Sequence, residues 1–439
     1  MERRQFLQYL SAGLLTSSTS LAWARRGEEE EEAVAMKSPT LPADRGIKGN
    51  IVVVGGGMAG TTVAKYLRLW GGTGVNVTLV EPNAQYYSNI FSNMILEGTK
   101  TLDDLTFNYK QLVDHYGVKV LQQTVTAIDP TTANVTLADG TKLPYDRVVL
   151  ATGIDFDDLP LAGSDTNKAK IVHAWQAGQQ TVSLQQQIAA MTAKDTFILT
   201  IPPKPFRCPP GPYERACVVA DYLQREKEGG TVVILDANPE IQAGAKIFNA
   251  AYSDTFKDII TYVPNATLES IDADKGTVKT SAGSFNGTVI NAIPAQKAGK
   301  LITTSDLKLA SQGGRWAGVD VLTYESTVIP KVHIIGDSSA TTQPKAGHIA
   351  NAEAKVCADA ILNLLQGKAV NQNPITNSAC YSPITQDTAA WMSVVFRYDP
   401  ESKTMKPSKV GIAESNKASE RNHKEMMKWF NNLMSDTFA

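Results

Sequence analysis

The chain has 439 residues, too many for one compact core, and ordinary domain sizes divide it into roughly two to three units. Its 42 basic and 44 acidic residues nearly cancel and form no basic stripe, which excludes nucleic acid and an anionic membrane surface as expected partners. Four separated cysteines (Cys208, Cys217, Cys357, Cys380) make no C-x-x-C or C-x-x-C-H, and five scattered histidines show no ligand spacing. No metal is therefore expected, and redox chemistry would need an organic cofactor with an outside donor or acceptor.

The first stretch, "MERRQFLQYLSAGLLTSSTSLAWA" (1–24), has paired arginines, a modest apolar run and a small-x-small end, which reads as a twin-arginine export signal. Periplasmic location is the expectation, and twin-arginine export suits a chain that folds around a cofactor before it leaves the cytoplasm. Residues 25–47 read as a charged, Pro-containing linker. No later segment reaches membrane-spanning length.

Residues 48–160 open with "NIVVVGGGMAGTTVAKYLRLW", a buried strand, then Gly55-x-Gly57-x-x-Gly60, then a helix. The glycines make the tight turn, admit backbone to a pyrophosphate and let helix and strand pack closely, while the helix N-terminus offers N–H groups to phosphate. A second strand, "VNVTLVE", ends at Glu81, where a carboxylate can hold a ribose diol. "YDRVVLATG" (145–153) ends at Thr152 and Gly153, and "KVHIIGDSSA" (331–340) passes through Gly336 and Asp337. This trio resembles the glutathione-reductase-like FAD flavoproteins, in which the late aspartate, here Asp337, binds the ribityl chain. The resemblance makes FAD the expected cofactor and implies a helix starting near Gly347 whose N-terminus faces the pyrimidine end of the flavin. His348 next to it is read as a capping, packing or ring-adjacent residue, and Cys357 as a packed small apolar one.

Residues 161–299 read as a second Rossmann-like unit, with strands "TFILTI" and "TVVILD" around a helix over "ERACVVADYLQRE". Flavoproteins of this architecture usually bind NAD(P)H here, yet the first turn carries Pro202, Pro203, Pro205, Pro209, Pro210 and Pro212. Proline has no N–H and fixes φ, so the loop is expected to be a rigid scaffold that cannot cradle phosphate. Its cargo is Cys208, with Glu214 close by. Residues 300–370 return to the FAD unit, and 371–439 read as a C-terminal α+β interface unit of short β-type runs and a final helix. In that helix Met426, Met427, Phe430, Leu433 and Met434 share one face, which suits packing over the flavin in preference to a membrane-lying helix; Trp391 reads as packing.

"PFRCPPGPYERA" is similar to the motif of the flavoprotein chain of flavocytochrome c sulfide dehydrogenase, and the match runs over almost the whole mature chain. It takes in "HAWQAGQQT" (173–181), "INAIPAQKAGK" (290–300), "VDVLTYES" (319–326), "NSACYS" (377–382) and "KWFNNLMSDTF" (428–438). Sulfide:quinone reductases are more distant relatives. The resemblance implies that sulfide, or a related reduced sulfur compound, attacks a cysteine pair and that electrons pass through FAD to a c-type cytochrome subunit. Cys208 corresponds to one member of the pair, Glu214 to a base beside it, and Trp429 to the aromatic residue covering the flavin. Two departures follow from the same comparison. The second redox cysteine is expected after the Gly-Asp pair, where this chain has Ser339, and the covalent FAD link of "YYxC" falls on Asn89. FAD is therefore expected to be bound without a covalent bond. A Cys208 thiolate, its pKa lowered by Arg207, is expected to act alone, to pair with another cysteine or to be idle; neither Cys217, nine residues on, nor Cys380 is singled out. Two alternatives stay open: a soluble quinone-linked or polysulfide-handling flavoprotein, and an electron-transfer flavoprotein with a lapsed sulfur site.

Overall fold

The computed structural model describes residues 41–439; the stretch read as an export signal (1–24) and residues 25–40 of the expected linker lie outside the described residues. The first part of the chain forms β1 (Gly49–Val54), α1 (Met58–Gly71), β2 (Val75–Val80), α2 (Ser92–Leu96), β3 (Lys119–Leu121) and β4 (Arg147–Leu150). The middle part forms β5 (Thr196–Ile201), α3 (Gly211–Glu226), β6 (Thr231–Asp236), β7 (Ile260–Val263) and β8 (Val289–Ala292). Then follow β9 (Val319–Asp320), β10 (Glu325–Ser326), β11 (Val332–Ile334) and α4 (Gly347–Leu365). The chain ends with β12 (Ile375–Thr385), β13 (Thr388–Asp399), β14 (Thr404–Glu414) and α5 (Glu420–Phe438).

One sheet has the order β9-β10-β11-β4-β1-β2-β3, parallel from β11 to β3. Its central strands are buried on both faces, which is why "IVVV" and "RVVL" lack polar alternation. Val63 and Leu67 of α1 and Ala354, Cys357 and Ile361 of α4 share one core with Ile51 and Val53. Cys357 is thus a packed apolar side chain. Gly60 lets α1 reach the sheet, because a Cβ at that position would sit 1.8 Å from the Gly55 carbonyl oxygen.

The second parallel sheet, β7-β6-β5-β8, carries α3 on one face and a small antiparallel sheet, with Ile271 and Val278, on the other. Both parallel sheets are Rossmann-like, as the two strand-turn-helix patterns predict. The C-terminal strands are longer than the expected short runs. β12 and β13 span 11 and 12 residues and pair from Ile375 with Arg397 to Thr385 with Thr388. Their polar residues interrupt the apolar alternation because one face of β12 lies over α3 and α4, where a polar site is built.

Helix α5 starts at Ser419, whose hydroxyl accepts the Asn422 N–H. Met426, Phe430, Leu433 and Met434 are buried in the core shared with α1, and the Phe430 ring stacks on Phe91 at 4.3 Å. The apolar face is spent inside the chain, as the packing reading required, and no helix among the described residues is long and apolar enough to cross a membrane. Gly60→Ala should force α1 off the sheet and lower the Tm by about 5 °C or more, since the clash is with backbone and cannot relax through a side chain. A melt that matches the unaltered protein would show that the helix can retreat without cost.

Candidate active site

Where β5 ends at Ile201, the proline-rich loop runs to α3 at Gly211. Four of its five remaining N–H groups are already used: Lys204 donates to Asn238 Oδ1 at 3.0 Å, Arg207 to Gln296 Oε1 at 2.7 Å, Cys208 to the Lys345 carbonyl at 2.7 Å, and Gly211 to the Cys208 carbonyl at 2.8 Å. Asp236, at the end of β6, occupies the place where a carboxylate would hold a nucleotide ribose. It is fully buried and accepts the phenols of Tyr213 at 2.7 Å and Tyr262 at 3.0 Å, as well as the Asn238 N–H. Too few free N–H groups remain at this turn to cradle a phosphate, and its ribose acceptor is already taken.

The loop presents a thiol. Cys208 has φ +57°, a left-handed conformation that costs a side-chain-bearing residue about 1–3 kcal/mol and is held by the bonds just given. Its sulfur rests on the first turn of α3: a Cβ on Gly211 would be 2.8 Å from Cys208 Sγ and 3.0 Å from the Trp175 ring. Only glycine fits there.

Cys208 opens into a cavity with about 1200 Å³ of empty space counted to its mouth. Of the residues expected at a flavin site, Gly57, Asn89, Gly153, Cys208, Glu214, Asp337, Gly347 and Trp429 line it. Gly55 and Gly60 shape the turn beneath. Two others do not line it. Thr152 turns its hydroxyl to Ser338 Oγ at 3.0 Å and ties two loops together. Glu81 accepts the Gly56 N–H at 2.7 Å and both the N–H and the side-chain amide of Asn83, so both its oxygens have partners. The cavity fits FAD in a specific way. The N-termini of α1 and α4 open onto it, and Asp337 Oδ1 is buried with no hydrogen-bond donor, as a ribityl hydroxyl would supply. Among the described residues no group of three potential metal ligands is found.

The electrostatics correct one expectation. Burial pushes the Cys208 thiol well up, with Glu214 and Cys380 adding to the effect, whereas Arg207 and the Gly211 N–H pull the other way and lose. Arg207 cannot dominate because its guanidinium is turned to the Trp175 carbonyl and to Asn89 Oδ1, at 3.3 Å from the latter. The thiol is thus protonated at neutral pH, and what it needs is a base. Glu214 stands beside it, pushed up to about 7 by burial against the pull of Asn93, which donates to Glu214 Oε1 at 2.8 Å, and of Arg215.

The second correction concerns Ser339. Its hydroxyl is buried on the Gly336 carbonyl at 2.8 Å and does not line the cavity, so a cysteine there would not meet Cys208. Cys380 does line it, near enough that ionising either thiol would oppose ionisation of the other. β12 delivers it: Ala379, Cys380 and Tyr381 line the cavity where the strand passes over it, and burial raises the Cys380 thiol to about 11. Cys217 is buried in the core of the second sheet and does not line the cavity. Sequence reasoning missed Cys380, Arg215 and Asn93. The period-2 pattern of "NSACYS" tells which β12 side chains share a face, but not what that face covers.

At the other end His348 caps nothing in its own helix. Its Nδ1 accepts the Ala379 N–H at 3.0 Å and faces Trp429 Nε1 at 3.4 Å, which fixes the Trp429 indole at the cavity wall.

Comparison with known proteins agrees with this geometry. Residues 181–294, the second parallel sheet and its loop, match the model of the sulfide dehydrogenase [flavocytochrome c] flavoprotein chain, central. Residues 372–438 match flavocytochrome c sulphide dehydrogenase, flavin-binding, and residues 49–194 match pyridine nucleotide-disulphide oxidoreductase. The chain is 23% identical over 364 residues to the mitochondrial sulfide:quinone oxidoreductase of Dictyostelium discoideum, covering 79% of this chain and 77% of that one. It is 33% identical over 147 residues to putidaredoxin reductase CamA of Pseudomonas putida, a match spanning 32% of this chain and 34% of the relative. In fold it is similar to the sulfide:quinone oxidoreductase of Aquifex aeolicus, with TM-score 0.71 at 16% identity over 89% of this chain and 92% of that one. With two Rossmann-like sheets in the glutathione-reductase-like arrangement, and with both its central and its flavin-binding segments matched, the chain belongs to the FAD-dependent, sulfide-oxidising oxidoreductases of the flavocytochrome c sulfide dehydrogenase type.

Proposed function

We propose that the chain is the exported flavoprotein partner of a c-type cytochrome, oxidising sulfide at a Cys208–Cys380 pair and holding FAD without a covalent bond. The observation that carries the reading is that two cysteines from different units, one on the proline loop and one on β12, line one flavin-sized cavity with Glu214 between helix and thiol. Periplasmic location rests on the twin-arginine stretch, and the cytochrome partner on the family.

The glycine turn at Gly55–Gly60, Asp337 and the α4 N-terminus at Gly347 would hold the cofactor, with Trp429 and Asn89 at its edges. Bound FAD supplies a two-electron acceptor that can hand electrons on singly. The protein's part is sulfur chemistry. Hydrosulfide attacks the Cys208–Cys380 disulfide, forming one S–S bond and breaking another, to leave a persulfide and a thiolate. A second hydrosulfide attacks the persulfide and releases HSS⁻ with a thiol. Closing the disulfide again gives up two electrons and one proton, so that 2 HS⁻ yields HSS⁻, H⁺ and 2 e⁻. Glu214 is the acceptor for that proton. Arg207 and Arg215 keep positive charge near the anionic sulfur.

Anaerobic sulfide titration with the flavin spectrum as readout tests the pair. Cys208→Ser and Cys380→Ser should each retain FAD and slow sulfide-driven bleaching by about 100-fold or more, with the double variant no slower than either single one. Bleaching at the unaltered rate in either single variant would rule the pair out and favour the lapsed-site reading.

The remaining two outcomes concern the cofactor and the donor. Asn89 offers no nucleophilic sulfur, and its Oδ1 is spent on the Ala177 N–H at 2.8 Å, so acid precipitation should leave the yellow colour in the supernatant. Colour in the pellet would mean another covalent link. Because the proline loop has too few free N–H groups to cradle a phosphate and Asp236 is capped by phenols, NADH or NADPH at about 1 mM should reduce the flavin at least about 100-fold more slowly than sulfide does. Rapid bleaching by either would overturn this reading of the second sheet.

A further inference from the structure

The sulfide reaction leaves a proton in the cavity for every electron pair, and an acceptor that takes electrons only does not carry it away. Glu214, 8% exposed, faces the cavity that the flavin would fill, so its proton needs another way out. A second buried carboxyl lies further along the same seam. Glu97 follows α2, one turn beyond Asn93, the residue whose amide donates to Glu214 Oε1 at 2.8 Å. The Glu97 side chain is 1% exposed, and its Oε2 has no hydrogen-bond partner although it is buried. An ionised oxygen left so would be costly, and a protonated one costs less.

The groups facing Glu97 run outward. On α3, Glu214, Asp221 and Arg225 stand at i, i+7 and i+11, one face of the helix, with about 10 Å of rise from the first to the second. Arg225 Nη2 is 3.8 Å from Glu97 Oε2, and its Nε holds Asp221 Oδ2 at 2.8 Å. Arg225 is 29% exposed and also reaches the exposed Glu226. From the β12–β13 turn Asp387 adds negative charge, and Gln386 N–H binds Asp221 Oδ2 at 3.0 Å. Thr99 Oγ1 donates to the other Glu97 oxygen at 2.9 Å.

Resting on the sulfide reading above, we propose that Glu97 is a proton relay: a proton taken up by Glu214 passes to Glu97 and leaves at the Asp221–Arg225 rim. One O–H bond breaks and one forms at each transfer, and no electrons move with it. Burial raises Glu97 and Glu214 to about 7 each, so neither step runs far uphill. Glu97 touches neither substrate nor cofactor and is a positioning residue for protons.

The test uses FAD-loaded protein, reduced with dithionite, desalted and mixed anaerobically with ferricyanide, an electron-only acceptor, with phenol red reporting protons in bulk. In the unaltered protein, proton release should keep pace with the return of flavin colour. Glu97→Gln, which keeps the shape, should delay release about 10-fold or more and raise its solvent isotope effect, while Glu97→Asp should stay within about threefold of the unaltered rate. The relay is overturned if Glu97→Gln releases protons on time, or if both variants are equally slow with an unchanged isotope effect. Should Glu97→Gln fail to accumulate, Glu97→Asp decides: the pH profile of release should move to lower pH with the more acidic carboxyl, and an unmoved profile overturns the relay. Because no sulfide is present, this result is independent of the cysteine variants, whose failure would remove the sulfide reading instead.

Discussion

A deeply buried guanidinium organises the site. Arg215 is 1% exposed, and four hydrogen bonds hold it: to Asn93 Oδ1, Asn291 Oδ1 and the carbonyls of His173 and Ala174. It also stacks on Trp175 at 4.7 Å. A buried charge is tolerated only where its donors are met, and meeting them draws together α2, α3, β8 and the loop before the second sheet. Asn93 uses its oxygen on Arg215 and its amide on Glu214, so the arginine also sets the carboxyl that faces the thiol. Burial lowers Arg215 to about 9, with Glu214 and Cys208 pulling it back up, and it remains charged at neutral pH.

The same loop explains why a nucleotide-type sheet carries sulfur chemistry. A phosphate site needs free N–H groups at the strand-to-helix turn, and a thiol site needs a fixed backbone with a small residue behind the sulfur. These demands are opposed, and the chain resolves them entirely in favour of the second. Prolines remove donors, four of the five remaining N–H groups are bonded inward, and Gly211 makes room for Cys208 Sγ. Tyr213, one turn into α3, then fills the place a ribose would take.

The architecture was legible because it rests on local signals: apolar runs for doubly covered strands, glycines where α1 touches the sheet, and prolines where phosphate donors are missing. Gly57, Cys208, Glu214, Asp337, Gly347 and Trp429 could be read on these grounds and on the family likeness. Thr152 and Glu81 were placed by motif alone, and the motif fixes the backbone turn without fixing where a side chain points. Cys380 was out of reach for a different reason. It lies 172 residues beyond Cys208 in the chain, and only the stacking of β12 on α3, a tertiary contact with no local sequence signature, brings the two thiols to one cavity. Ser339 looked like the partner position because it follows the Gly-Asp pair, but the tight turn there spends its side chain on Gly336.

Burial then determines the kind of acid–base chemistry available. A thiol excluded from water stays protonated, and so does a neighbouring carboxyl until near neutrality, since each would otherwise carry a charge that the cavity cannot solvate. Of the two, Glu214 gives up its proton at the lower pH, so its carboxylate is the base at hand when a thiolate forms. The sign is the same for both acids. Glu214 holds its proton below about pH 7 and releases it above, so its base form is present on the alkaline side, while the thiol keeps its proton well beyond that. A site of this kind does not depend on a standing thiolate. It depends on where the proton goes when one forms, and the polar seam from Glu214 past Glu97 to Asp221 is the part of the structure that answers that need.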